Sequence, residues 1–171
     1  MKPSALRRAA FVAAVCGVCL VGFAPIASAT SPNKVPTPNP DFTATGACAF
    51  PVAFHALVNK EYQTVTTMPD GSVVTKVNGS LVGTFTNTLN GHSVTLNIGG
   101  PGTITAFPDG SFTFEFEGNS SFFYFSQSQT AFGLPGLQYT QGLLQNHFDN
   151  AGNLTSYSHS GAATDECAAL S

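Results

Sequence analysis

Glu115 and Glu117 stand two residues apart in Phe112-Thr-Phe-Glu-Phe-Glu117. On an extended strand this spacing puts both carboxylates on one face, about 6.5–7 Å apart at Cα. Paired carboxyls near that separation can divide the acid and base roles of glycoside hydrolysis. One reading of the chain is therefore a hydrolase or isomerase working through Glu115 or Glu117, with a His or Tyr beside them. The plainer use of such a pair is to solvate the polar face of a strand.

The histidines, His55, His92, His147 and His159, show no metal-binding spacing. Zinc draws its ligands to within about 2 Å of one point. If Phe148 faces Leu154 in a hairpin, His147 meets Thr155 and His159 meets Leu143. The two rings then share a face but lie about 13 Å apart along the strands. The chain has no Gly-x-Ser-x-Gly, His-Glu-x-x-His or phosphate-loop pattern. No catalytic residue, metal ligand or cofactor is assigned on these grounds.

Aromatic side chains offer binding chemistry instead. Phe122-Phe123-Tyr124-Phe125 is apolar on both faces, and Ala131-Phe132-Gly133-Leu134-Pro135-Gly136-Leu137 follows closely. A strand apolar on both sides lies between two layers or lines a binding surface. Phe123, Phe125, Phe132 and Leu134 are accordingly the candidate contacts for a small apolar ligand or an extracellular protein. The competing reading is ordinary core sealed by a loop.

The elements that must position these groups are hairpins. Thr103 to Ala106 and Phe112 to Glu117 alternate apolar and polar residues on either side of Phe107-Pro108-Asp109-Gly110-Ser111. Proline at the second turn position and glycine at the fourth suit a three-residue loop closed by a glycine bulge. That loop sets Ala106 opposite Phe112, Ile104 opposite Phe114 and Gly102 opposite Phe116. Met68-Pro69-Asp70-Gly71-Ser72 repeats the turn and sets Thr67 opposite Val73, Val65 opposite Thr75 and Gln63 opposite Val77. Asp149-Asn150-Ala151-Gly152-Asn153 makes a third corner. Strands are expected over Phe50–Val58, Glu61–Met68, His92–Gly99 and Gln138–Phe148, with breaks at Asn78-Gly79-Ser80, at Gly118-Asn119-Ser120 and at Gly99–Gly102. The recurring corners suggest an internal repeat. No segment keeps a 3.6-residue period for three turns, and Gln127–Leu137 reads as a loop. The fold expected is all-β, an antiparallel meander of about ten strands. A small closed or nearly closed barrel is favoured, with a two-sheet sandwich as the alternative.

Lys2, Arg7 and Arg8 precede an apolar run from Ala9 to Ala24, and Ala27-Ser28-Ala29 follows. This is the pattern of a secretory signal peptide over residues 1–29. Residues 30–46, rich in Pro, Thr, Asn and Ser, read as an extended spacer, and 47–171 as one domain. Beyond Ala29 only three lysines face nine carboxylates, a net charge of −6 with His neutral. Three scattered lysines without arginine do not neutralise a phosphate backbone, so no nucleic-acid partner is expected. No later stretch is apolar enough to span a membrane as a helix. Cys48 and Cys167 are the cysteines beyond the signal, and in an oxidising compartment they are expected to pair. The chain is thus expected to be secreted and extracellular.

With its Ala27-Ser28-Ala29 signal, Cys48-Ala49-Phe50-Pro51 start, Pro-Asp-Gly hairpins and late Cys167, the chain resembles small secreted actinobacterial proteins with no assigned function. That resemblance implies no activity and no site residues. A non-enzymatic secreted β-domain is the reading carried forward. The Glu115/Glu117 enzyme and a structural cell-surface role stand as alternatives.

Overall fold

Acidic corners organise the chain. The computed structural model describes residues 33–171; the proposed signal peptide lies outside them. At two corners the aspartate accepts the backbone N–H two residues on, Asp70 from Ser72 and Asp109 from Ser111, each at 2.9 Å. Asp149 accepts from Ala151 at 2.9 Å and from Asn153 at 2.8 Å. These bonds hold all three carboxyls below the usual aspartate range, the serine hydroxyls contributing most at Asp70 and Asp109 and the Asn153 amide at Asp149. A carboxyl whose folded pKa is lowered stabilises the fold above its unfolded value and loses that contribution as pH falls through the folded one. Unfolding by urea is therefore expected to become easier as pH drops below 3.8. Asp109→Asn should flatten part of that dependence, and an unchanged acid limb would refute the corner's role.

Between the corners run long strands. β1 (Val35–Pro36), β2 (Phe42–Ala44), β3 (Val52–Thr67), β4 (Val73–Asn87), β5 (Ser93–Asn97) and β6 (Gly102–Ala106) come first. β7 (Phe112–Phe123), helix α1 (Ser126–Phe132), β8 (Leu137–Phe148), β9 (Leu154–His159), β10 (Ala162–Asp165) and helix α2 (Glu166–Ala169) follow. All pairings are antiparallel and join ten strands in one sheet, on the path β1-β3-β4-β6-β7-β8-β10. β5 and β6 lie on β4 in one continuous register, Thr86 opposite Ser93 and Val77 opposite Gly102. β9 and β10 do the same on β8, Leu144 opposite His159 and Gln141 opposite Ala162. The sheet is thus a meander of six long strands, three hairpins side by side, with β1 and β2 along the outer edge of β3.

A row of glycines crosses this meander. Glu61 pairs with Gly79, and Gly118 with Gly142. Extending the neighbouring registers puts Gly100 between Gly79 and Gly118, and Gly161 beyond Gly142. At Gly79, Gly100, Gly142 and Gly161 an added Cβ would run into backbone, while Gly118 has open space beside it. A Cβ on Gly79 would stand 2.2 Å from the Lys60 carbonyl oxygen, and one on Gly142 2.2 Å from that of Ser160. The sheet folds over along the row. Phe114 and Phe122 are eight residues apart on β7, which would separate them by about 26 Å on a straight strand. Their ring centroids are 5.3 Å apart. Glycine lets a strand turn such a corner without losing its ladder.

The fold packs two apolar clusters. Phe112, Phe114, Phe122, Tyr124, Phe148 and Leu154 gather inside the bend of β7 and β8. Val52, Phe54, Phe85, Leu137 and Leu170 form the other, with Cys48 and Cys167 against them. Those cysteines are bonded, with Cα atoms 5.5 Å apart across 119 residues of sequence. The Asp165 carboxylate caps α2 by accepting from Cys167 and Ala168 N–H, which fixes the second sulfur.

The expected register at the first two corners matches residue for residue. Several other expectations are corrected. The breaks at Gly79 and Gly118 are bends inside continuous β4 and β7, because the neighbouring strands keep pairing through them. Phe50–Val58 and Glu61–Met68 are one strand, β3, with an extra residue at Leu57. Residues 126–132 are helical, closed by left-handed Gly133. At the third corner a bulge moves His147 opposite Ser156 and puts His159 opposite Leu144, so these two rings point to opposite faces. The stretch read as spacer is extended, but Val35–Pro36 and Phe42–Ala44 are laid along β3. The hydrogen-bonded path does not return to its start; the barrel is not closed by strand pairing among the described residues. Among those residues no helix is long and apolar enough to cross a membrane.

Candidate ligand-binding cavity

Beside the glycine row, with Gly100 in its lining, lies a cavity of about 250 Å³. Five rings line it, Phe42 from β2, Phe54 from β3, Phe85 from β4, and Phe116 and Phe123 from β7, with aliphatic and a few polar residues between them. Phe42 and Phe54 meet at 5.2 Å between centroids, and Phe85 and Phe123 at 6.0 Å. Gly100, in the glycine row, and Pro101 line the cavity without a long side chain to fill it.

One carboxyl enters this apolar space. Glu61 is 7% exposed and lines the cavity. Its position follows from the extra residue at Leu57. Phe54 faces inward on β3, and strict alternation would turn odd-numbered residues outward. Ala56 pairs with Gly83 but Val58 pairs with Val82, so the parity changes and Glu61 points in. Asn39 Nδ2 donates to Glu61 Oε2 at 3.0 Å. Burial pushes the Glu61 carboxyl above the usual range, against the smaller downward pull of the Asn39 bond.

Two residues of the lining have hydroxyls without partners. Thr37 Oγ1 and Ser121 Oγ are buried with no hydrogen bond among the described residues, and both residues line the cavity. In the other cluster Tyr124 O–H donates to Asn146 Oδ1 at 3.1 Å, and burial pushes that phenol up. Asn146 Nδ2, beside that phenol, is a third buried polar atom without a partner among the described residues.

The four aromatic and leucine positions singled out from sequence do not come together. Phe123 lines the cavity. Leu134 packs on the Tyr124–Phe148–Leu154 cluster. Phe125 is 50% exposed and Phe132 36%, because the helix that follows β7 turns them outward. Glu115 and Glu117 line a separate concavity of about 220 Å³ with Lys76, and Gln145 Nε2 donates to Glu115 at 2.7 Å. No His or Tyr lines it. His55 bonds Asp41 at 2.6 Å, which holds the Asp41 carboxyl below its usual range, and His92 contacts the Ser171 carbonyl at 3.0 Å. No group of three or more His, Cys, Asp or Glu among the described residues could hold a metal ion.

Sequence reasoning missed Glu61, Thr37 and Ser121. The signal available for Glu61 was its isolation, a single acid within an otherwise alternating strand, but the bulge that turns it inward leaves no pattern. Comparisons of the chain with protein-family profiles, curated proteins and solved structures find no match.

Proposed function

We propose that this protein is an exported, non-enzymatic binding domain whose cavity at the crease holds a small, largely apolar ligand. The observation that carries this reading is a cavity lined by five phenylalanines into which one buried carboxyl, that of Glu61, projects. Small-molecule sites share this build, an apolar concavity with a few convergent polar groups. Export is supported by the residue 1–29 pattern and by the bonded cysteines. We read the folded sheet as a nearly closed barrel rather than two separate sheets. Its hydrogen-bonded path is unbroken from β1 to β10, and Phe85 on β4 meets Phe123 on β7 across the hollow.

Native mass spectrometry of protein recovered from its own host tests the reading directly, the expected result being a mass above that of the chain. In a titration, n-hexanol should shift the amide resonances of residues around Phe85 and Phe123. Ile104→Trp, which puts an indole into the cavity, should abolish those shifts while the protein stays folded. Shifts that survive in Ile104→Trp would move the site elsewhere.

A further inference from the structure

Resting on that reading, we propose that the preferred ligand is a cation, a small alkyl- or arylammonium ion whose charge sits against Glu61 and whose apolar part lies among the phenylalanines.

Three observations converge on this chemistry. First, Glu61 is a buried acid without a counter-charge. Its one side-chain partner is the neutral Asn39 amide, on Oε2. The ion pair among the described residues is His55–Asp41. Lys60 is adjacent in sequence and so projects to the opposite face of β3, Lys34 sits over the Tyr62 ring at 4.9 Å, and Lys76 lines the other concavity. A buried charge is normally paired or else neutralised, and here the missing partner is a cation.

Second, the walls suit a positive charge. An aromatic face attracts a cation within about 6 Å of its centroid, and five phenylalanines surround this space. Third, the acceptor that the fold leaves free is anionic. An ammonium has three N–H donors and no acceptor, and the Asn39 bond on Oε2 leaves Glu61 Oε1 open. A carboxylate ligand would meet Glu61 with like charge and find no basic residue in the cavity. A neutral alcohol would leave Glu61 uncompensated. The net charge of −6 beyond the signal region also draws cations toward the protein.

The test compares n-hexylammonium, n-hexanol and n-hexanoate, equal in length and different in charge. Each is titrated at pH 7 and low salt into the full disulfide-bonded chain, by calorimetry and by amide resonance shifts. Hexylammonium should bind about tenfold or more tightly than hexanol, and hexanoate should not bind. Glu61→Gln keeps the shape and removes the charge. It should bring hexylammonium and hexanol to within about twofold of each other. Phe123→Leu, which leaves Glu61 in place, should weaken hexylammonium about two- to fivefold and serves if the first variant fails to fold. Equal binding of hexanol and hexylammonium to the parent protein would overturn the cation proposal and leave the apolar-ligand reading standing. Hexylammonium binding that is unchanged in both variants would place the cation elsewhere and overturn it too. Failure of all three compounds to bind would overturn both.

Discussion

Gly79→Val is expected to lower the unfolding free energy by about 3 kcal/mol or more, read as a shift of the urea midpoint at constant slope. Two costs combine at this residue. Its φ of +140 lies where side-chain-bearing residues are strained, and the Cβ would stand 2.2 Å from the Lys60 carbonyl and 2.7 Å from Glu61 Cα. The atoms in the way are backbone, so no side chain can move aside. β3 and β4 would have to separate where Glu61 enters the cavity, and ligand binding should fall along with stability. Gly118→Ala separates the two costs. It lies in the same row with φ +87, but nothing stands within 4 Å of its Cβ. Only the conformational penalty applies, about 1–2 kcal/mol. Equal losses at the two sites would show that close approach across the crease is not what requires glycine at Gly79.

Replacing Cys48 and Cys167 together with alanine is expected to cost about 4–5 kcal/mol. The bond closes a loop spanning 119 residues, and a cross-link over that length removes much freedom from the unfolded chain. The native contacts around it add to the loss. Leu170 is fully buried, and its carbonyl accepts from Asn87 Nδ2 at 3.0 Å, so α2 is held on the end of β4. Gly136 is pressed against Ala47 O and lies close to Cys167 Sγ. Releasing the sulfurs would loosen both the start and the end of the sheet around Phe54 and Phe85. Urea unfolding with and without a reductant measures the difference. A loss below about 1 kcal/mol would mean that packing alone holds the ends together.

The sequence made the local structure legible and concealed the global bend. Pro-Asp-Gly corners and period-two alternation specify register because both act over a few residues, and Ile104–Phe114 and Val65–Thr75 pair as they require. The cysteine pair was readable because there was one way to join two sulfurs. The glycines were visible but misread. Gly79 and Gly118 look like chain reversals when each strand is considered alone, and only the cross-strand row shows that they bend it. Phe123 lies in the cavity lining, on a strand apolar on both faces. That Phe125 and Phe132 turn outward was not legible, because the short helix beginning at Ser126 has too few residues to show a period. Glu61 depends on one extra residue at Leu57, and a parity change of that kind is set by the partner strand.

Cys48 and Cys167 also make the chain, in the covalent sense, a ring with an arm at each end. A protease that cuts once at the exposed corner around Leu89, which is 75% exposed, opens the backbone but releases no fragment. The clipped protein would run as a single species on a denaturing gel until a thiol is added, and then as two. Damage to the outer corners of this molecule is therefore hidden from any assay that leaves its sulfurs joined.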